Sequence, residues 1–163
     1  MLEIRRGGPA DSAALAGIFW SGVRDGAAPR YSADQRRAWL PERPSADRFA
    51  DRLADQAIFV AERNGVAVGF MTLRADGYLD FAYVLPDERG QGTAAALLAV
   101  LENHAHISGL SRLTVRASDM ARPFLARRGW QVTSDATVMR DGIALPSTHM
   151  VRDLSASPRA AAS

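Results

Sequence analysis

Residues 79–107 narrow the fold more than any other stretch: an apolar strand, LDFAYVL, turns through PDERGQG and enters the alanine-rich helix TAAALLAVLENHAHI. Two glycines, Gly90 and Gly92, stand where the strand meets the helix. Glycine there lets the backbone take positive φ and leaves its N–H groups uncovered by a side chain, so that they can converge on an anion. The opening N–H groups of the helix add partial positive charge at the same place. The loop reads as an anion cradle, and its expected ligand is phosphorylated. Gly109 closes the helix, and RLTVRAS follows as a strand expected to run parallel to LDFAYVL, because a whole helix separates the two.

Around that βαβ unit the chain reads as one continuous α/β pattern without internal repeats. LEIRR is a first strand. DSAALAGIFWSGVRD carries apolar residues at helical spacing with Asp11 or Ser12 as N-cap, and Trp20 is expected in the core. Ser32 opens a second helix, SADQRRAWL, with the Ser-x-x-Gln form of a capping box, and SADRFADRLAD starts a third. The period then changes to two. AIFVAER, VAVGFMTLRA and YLDFAYVL are rich in β-branched and aromatic residues, and Asn64-Gly65 and Asp76-Gly77 between them predict hairpins and an antiparallel meander. Downstream, SDMARPFLARRG is a short helix stopped by Gly129, and WQVTSDATVMR and THMVRDL are two final strands. The expected domain spans residues 1–154, and SASPRAAAS, residues 155–163, is small and polar, a tail expected to be disordered.

With 163 residues there is room for one well-buried domain and one active centre. The absence of cysteine excludes disulfides, thiolate catalysis and sulfur-ligated metals, and leans towards the cytoplasm. No apolar run approaches a membrane span, and the N-terminus lacks the apolar core of a signal peptide, so a soluble cytoplasmic protein is expected. Lysine is absent too, so all 20 basic positions are arginine, which rules out Schiff-base lysine chemistry. The net charge is only +2, and the arginines are spread among acids, as in DRFADRLAD, without the one-sided stripe a nucleic-acid partner requires. His104 and His106 lie on different faces of one helix and His149 has no evident partner in sequence, so no metal site is predicted.

Two readings of the anion loop compete at this level. A P-loop cannot be written without lysine. A dinucleotide fingerprint, Gly90-x-Gly92-x-x-Ala95 with Asp119 after the next strand, fits in letters. The strand before it, however, ends a meander, and too little chain follows Asp119 for a doubly wound sheet. A nucleotide-binding module stays open as an alternative.

The run V-L-P-D-E-R-G-Q-G-T-A resembles the acetyl-CoA signature of the GNAT N-acetyltransferases, Gln/Arg-x-x-Gly-x-Gly/Ala, with Arg89, Gly92 and Ala94 at its defined positions. Downstream, A-S-D-M-A-R-P-F-L-A-R-R-G-W resembles the second landmark of the family, a helix with an Ala-x-x-Phe core that ends at Gly and an aromatic residue. The stretches Y-S-A-D-Q-R-R-A-W, G-Y-L-D and H-M-V-R-D-L extend the likeness over nearly the whole chain and are similar to a bacterial branch, the YafP-like proteins.

The resemblance implies a GNAT fold: a mixed, mostly antiparallel central sheet of about seven strands with one splayed parallel pair, flanked by helices. It implies acetyl-CoA as the acetyl donor, its pantetheine arm entering between the splayed strands like an extra strand. On this chain the backbone of Arg89, Gly90, Gln91, Gly92, Thr93 and Ala94 is expected to hold the pyrophosphate, Val84 and Leu85 the pantetheine amides, and Ser118, Ala121 and Phe124 the thiol end. The Val84 N–H is the expected polariser of the thioester carbonyl. No metal is implied.

An alkyl ammonium must lose a proton before it can attack a thioester. Strand alternation puts Tyr78, Asp80, Ala82 and Val84 on one face, which makes Asp80 the candidate base. Family members commonly place a tyrosine after the landmark phenylalanine as acid; here that position is Leu125, so Tyr83, Tyr78 or Tyr31 must serve, or the thiolate leaves unassisted. The same leucine keeps a non-catalytic CoA-binding sensor open as an alternative. The family reads acceptors with its early helices, so Tyr31, Gln35 and Trp39 are the candidate substrate residues. Aromatic rings beside arginines suit a ligand with an apolar body and an acidic group. The expected partner is a small-molecule or peptide amine, with a homodimer through the last strands as a further expectation.

Overall fold

A computed structural model of the chain describes residues 1–154; the expected tail, residues 155–163, lies outside them. Among the described residues seven strands and five α-helices follow in the order β1 (Leu2–Arg6), α1 (Ser12–Ser21), α2 (Ala33–Trp39), α3 (Ala46–Leu53), β2 (Gln56–Arg63), β3 (Val66–Arg74), β4 (Leu79–Val84), α4 (Thr93–Ile107), β5 (Arg112–Ser118), α5 (Ala121–Ala126), β6 (Gln131–Arg140) and β7 (Ile143–Asp153). The strands form an antiparallel sheet in the order β1-β2-β3-β4 and a second in the order β5-β7-β6. Among the described residues the two are joined by one isolated parallel bridge, Tyr78 to Thr114, where the Thr114 N–H donates to the Gly77 carbonyl at 3.0 Å. The parallel pair expected from sequence is therefore joined at one end and splayed over the rest of its length.

The β1–β4 sheet is covered on both faces. Leu97, Leu98 and Leu101 of α4 pack on one side against Phe59, Met71, Leu73 and Leu79, together with Leu113, Trp130 and Met150. Leu15 and Ile18 of α1 and Phe49 and Leu53 of α3 pack on the other against Val60, Phe70 and Phe81. Burying a side chain of this size contributes about 1.5–3 kcal/mol each, which fixes both layers on the sheet. Ser32 and Gln35 close the expected capping box on α2 in both directions, at 3.1 and 2.9 Å. Trp20 departs from expectation: it is half-buried, with the Arg24 guanidinium over its ring at 4.5 Å. After α1 the chain widens into a π-helical turn, Gly22–Gly26.

Three local features differ from the sequence reading. Asn64 and Gly65 both take positive φ, 53° and 79°, as a two-residue hairpin turn demands. Asp76 does not: residues 75–78 form a wider loop in which the Asp76 carboxylate accepts the Tyr78 N–H at 3.1 Å, and this loop is where β5 docks. The tight hairpin signal instead recurs at Asp141-Gly142, φ 50° and 76°, which joins β6 directly to β7. β7 thus starts at Ile143, well before the expected THMVRDL. It carries Pro146 where β6 alone pairs with it, beyond the last β5 pair at Ser118–Ser147, so the missing proline N–H breaks no ladder on the β5 side.

The third difference lies in β4. Leu73 pairs with Leu79 and Thr72 with Phe81, so Asp80 is an extra residue in a β-bulge. The Phe81 N–H donates to the buried Thr72 hydroxyl at 3.2 Å. Strict alternation fails here: Leu79 packs with Ala82 and Val84 under α4, Phe81 and Tyr83 pack towards α1, and Asp80 bonds to Arg52 of α3 rather than sharing the face of Ala82.

Candidate active site

The splay between β4 and β5 opens a cavity of about 590 Å³. One wall is Ala82, Val84, Gly90, Gly92, Thr93 and Ala94; the other is Val115, Ala117, Ser118, Ala121 and Phe124. Leu85 N–H donates to Val68 of β3 at 2.9 Å, so alternation turns the Val84 and Ala82 N–H groups into the gap. Facing them across the gap are the amides of Arg116 and Ser118, because the Thr114 N–H already points that way.

At the far end sits the glycine loop. Gly90 and Gly92 take φ of 78° and 81°, and a Cβ at either would meet no atom within 4 Å, so the glycines serve backbone conformation and an open approach. Gly92 is the N-cap of α4. Among the described residues the N–H groups of Gly90, Gly92, Thr93 and Ala94 have no partner in the chain, whereas Arg89 and Gln91 N–H groups make long bonds of 3.3 Å to Pro86 and Glu88 carbonyls. Below the loop the buried Glu88 carboxylate takes two bonds from Arg63, at 2.8 and 3.1 Å, and one from the Thr93 hydroxyl at 3.0 Å. The Arg63 guanidinium, followed by that hydroxyl, holds its carboxyl below the usual range despite burial. This clamp fixes the start of α4 to β2.

A second cavity, of about 250 Å³, opens on the other side of β4. Phe19, Tyr31, Trp39, Leu145 and Pro146 are among its walls. Trp39, Asp80, Tyr83, Arg116 and Ser118 line both cavities, so the two meet at the β4 bulge. The Asp80 carboxylate is held by Arg52 at 3.1 Å and Gln56 at 2.7 Å, with the Arg74 guanidinium at 3.5 Å. Burial, reinforced by the Asp80 carboxylate, pushes the Tyr83 hydroxyl far above the ordinary tyrosine value. That hydroxyl makes no hydrogen bond to the described residues and stays protonated at any ordinary pH.

An acetyltransferase (GNAT) domain model matches residues 27–154. The chain belongs to the GNAT acetyltransferase family. Its GNAT relatives include an N-acetyltransferase named YafP from Escherichia coli K12, 36% identical over 137 residues, 84% of this chain and 86% of that protein. A GCN5-related N-acetyltransferase structure from Rhodopseudomonas palustris is 36% identical, with a TM-score of 0.87 over 93% of this chain and 95% of that one. YncA from Salmonella typhimurium, solved with its cofactor acetyl-CoA, shares the GNAT fold at 22% identity and a TM-score of 0.72, over 94% of each chain.

Measured against the GNAT expectations, most of the named residues come together, and some do not. Leu85 cannot offer its N–H to a pantetheine amide, since Val68 already accepts it. The Arg89 side chain turns back to the Gly26 carbonyl at 2.5 Å, and the Gln91 side chain bonds the Asp87 carbonyl at 2.9 Å. Gln35 lines neither cavity: its amide closes the α2 cap and reaches the Ala144 carbonyl at 3.0 Å. Tyr31 lines the smaller cavity, but its hydroxyl is engaged, donating to Pro146 at 2.5 Å and accepting the Asp119 N–H at 2.8 Å. Tyr78 lines the same cavity under the Arg74 guanidinium, 4.9 Å from its ring centre. Leu125 is 1% exposed and lies in the core. Sequence reasoning missed Arg52, Arg116 and the hairpin residues Arg140, Leu145 and Pro146; Asp141-Gly142 was the signal for the last three. Among the described residues no group of side chains is arranged to hold a metal ion, and no helix is long and apolar enough to cross a membrane.

Proposed function

We propose that the chain transfers an acetyl group from acetyl-CoA to a primary amine, the amine attacking the thioester directly. What carries this reading is the junction of two cavities at the β4 bulge. The larger is edged by unpartnered strand amides and ends at the glycine loop; the smaller is lined by aromatic rings and arginines. That pair of spaces suits an elongated, amide-bearing phosphorylated donor on one side and an acceptor on the other.

The Gly90, Gly92, Thr93 and Ala94 N–H groups would hold the pyrophosphate, and the Val84 N–H would bond the pantetheine arm or the thioester carbonyl. Acetyl-CoA supplies the activated acyl group and a thiolate leaving group. Asp80 is the proposed proton acceptor for the amine, its carboxylate oriented by Arg52 and Gln56. Tyr83 is the proposed hydrogen-bond donor to the departing sulfur; held protonated, it can act as donor and not as base. These roles are supported by position at the junction. Leu125, buried where a family acid commonly stands, favours a second reading, a sensor that binds CoA without turnover.

Thermal melts with acetyl-CoA, CoA, NAD and ATP, followed by thiol release over an amine panel, separate the readings. A ligand at a hundred times its Kd adds about 2.7 kcal/mol. Stabilisation by acetyl-CoA together with amine-dependent thiol release is the expected result. Stabilisation without release from any amine selects the sensor, and a shift with NAD or ATP alone overturns both.

A further inference from the structure

The smaller cavity carries an unbalanced charge. Arg52, Arg116 and Arg140 line it against a single carboxylate, Asp80. Arg52 is committed to that carboxylate, with bonds of 3.1 and 3.2 Å. The guanidinium groups of Arg116 and Arg140, both exposed, make no ion pair or hydrogen bond with the described residues. Much of the remaining lining is apolar: Phe19, Val138, Leu145 and the Tyr31–Trp39 edge-to-face pair, ring centres 5.2 Å apart. The tyrosine is pinned from two sides by Pro146 and Asp119, so the wall is preformed.

Such a cavity is hostile to a bare ammonium. Two uncompensated guanidinium groups repel a cationic amine, although the same field helps to strip its proton. An acceptor overcomes the repulsion only by bringing negative charge of its own. Guanidinium groups with free donors match oxyanions in geometry as well as charge. The remaining space, about 250 Å³, is the scale of a single small molecule.

We propose that the acceptor is a small amine carrying its own oxyanion, an amino acid with an apolar or aromatic side chain, whose carboxylate is held by Arg116 and Arg140 while its side chain lies on Trp39 and Phe19. This rests on the acetyltransferase reading above and narrows its substrate class. Amine and thioester form an amide, free CoA thiol leaves, and the amine proton passes to Asp80 or water. Polyamines and aminoglycosides, which add positive charge, fall outside the class.

The test measures thiol release from acetyl-CoA with phenylalanine, tryptophan and leucine, beside their amides, their decarboxylated amines, the aminophosphonate analogue of phenylalanine, spermidine and kanamycin. The expected result is kcat/KM at least tenfold higher for the acids than for the matching amides and decarboxylated amines. The phosphonate arm tells whether a carboxylate or any oxyanion is read. Arg140→Gln, at an exposed hairpin end, is expected to raise KM for the acids at least tenfold, to leave the acetyl-CoA melt shift unchanged, and to leave or lower KM for the decarboxylated amines, which lose a repelling charge. Preference for amides, simple amines or polyamines overturns the proposal, as does an Arg140→Gln enzyme with an unaltered KM, or acetyl-CoA binding with no release from any acid-bearing amine. Failure of acetyl-CoA to shift the melt instead removes the donor reading beneath it, so the two failures are distinguishable.

Discussion

Replacing Gly92 separates backbone conformation from every other contribution to the loop. Gly92 sits at φ 81° and ψ 3°, and a Cβ there meets no atom within 4 Å, so a larger residue suffers no collision. The cost is torsional: about 1–2 kcal/mol for an ordinary L-residue held in the left-handed region, and more for a β-branched one. In a domain of this size each kcal/mol lowers Tm by about 2–4 °C, so Gly92→Ala is expected to lose roughly 2–8 °C if the loop keeps its shape. If the loop relaxes to negative φ, Tm recovers but the Gly92 and Thr93 N–H groups swing away from their common focus. Each charge-assisted bond lost to a phosphate is worth about 1.5–3 kcal/mol, which raises the acetyl-CoA Kd about ten- to a hundredfold. Calorimetric melts and titrations of Gly92→Asn, Gly92→Ala and Gly92→Val read both routes together. Asparagine visits the left-handed region most readily, so the combined loss should grow in that order. A valine variant with the parental Tm and the parental Kd would refute the requirement for positive φ at this position.

Thr72→Val leaves the Phe81 N–H of the bulge buried without an acceptor, a cost of about 1–3 kcal/mol; melts should show a drop of several degrees, largely restored by Thr72→Ser. Tyr83→Phe is expected to lower kcat for acetyl transfer about tenfold without changing acetyl-CoA affinity, and the parental rate should keep rising with pH as the amine deprotonates, since Tyr83 itself stays protonated; an alkaline fall that vanishes in the phenylalanine variant would contradict this. The Glu88 pKa is depressed in the folded state, so its contribution to stability is present above its unfolded value near 4.5 and is lost as pH falls through the lower folded value. Melts of Glu88→Gln against pH should therefore differ most from the parental protein near neutrality and converge in acid.

The strand, glycine loop and helix were legible because each depends on local rules: two glycines at positive φ, an alanine-rich helix, an apolar strand before them. The Asn64-Gly65 turn and the capping box of Ser32 and Gln35 were legible for the same reason. Asp80 was found as a residue but misplaced by one face, because a bulge is set by pairing with β3 and by the Thr72 hydroxyl, not by the letters of β4. Gln35 was read as a substrate contact when its amide already closes a helix cap, a competition that spacing cannot resolve. Pro146 disguised the first half of β7, and with it the hairpin wall of the smaller cavity. Arg52 and Arg116 could not be singled out among 20 arginines, since only tertiary packing decides which of them face Asp80 and which face open space.

The single bridge between Tyr78 and Thr114 inverts a familiar rule of hydrogen exchange. Central strands normally hold their amide protons longest and edges lose them first. Here two edges lie at the centre of the molecule: the amides of Ala82 and Val84 on one side and of Arg116 and Ser118 on the other have no ladder to close on. Their deuterium uptake should be fast in the free protein despite their position, and should slow selectively when an extended ligand lies between them. Exchange protection at these four amides, rather than global melting, thus becomes a residue-by-residue ruler of how far into the molecule the donor reaches.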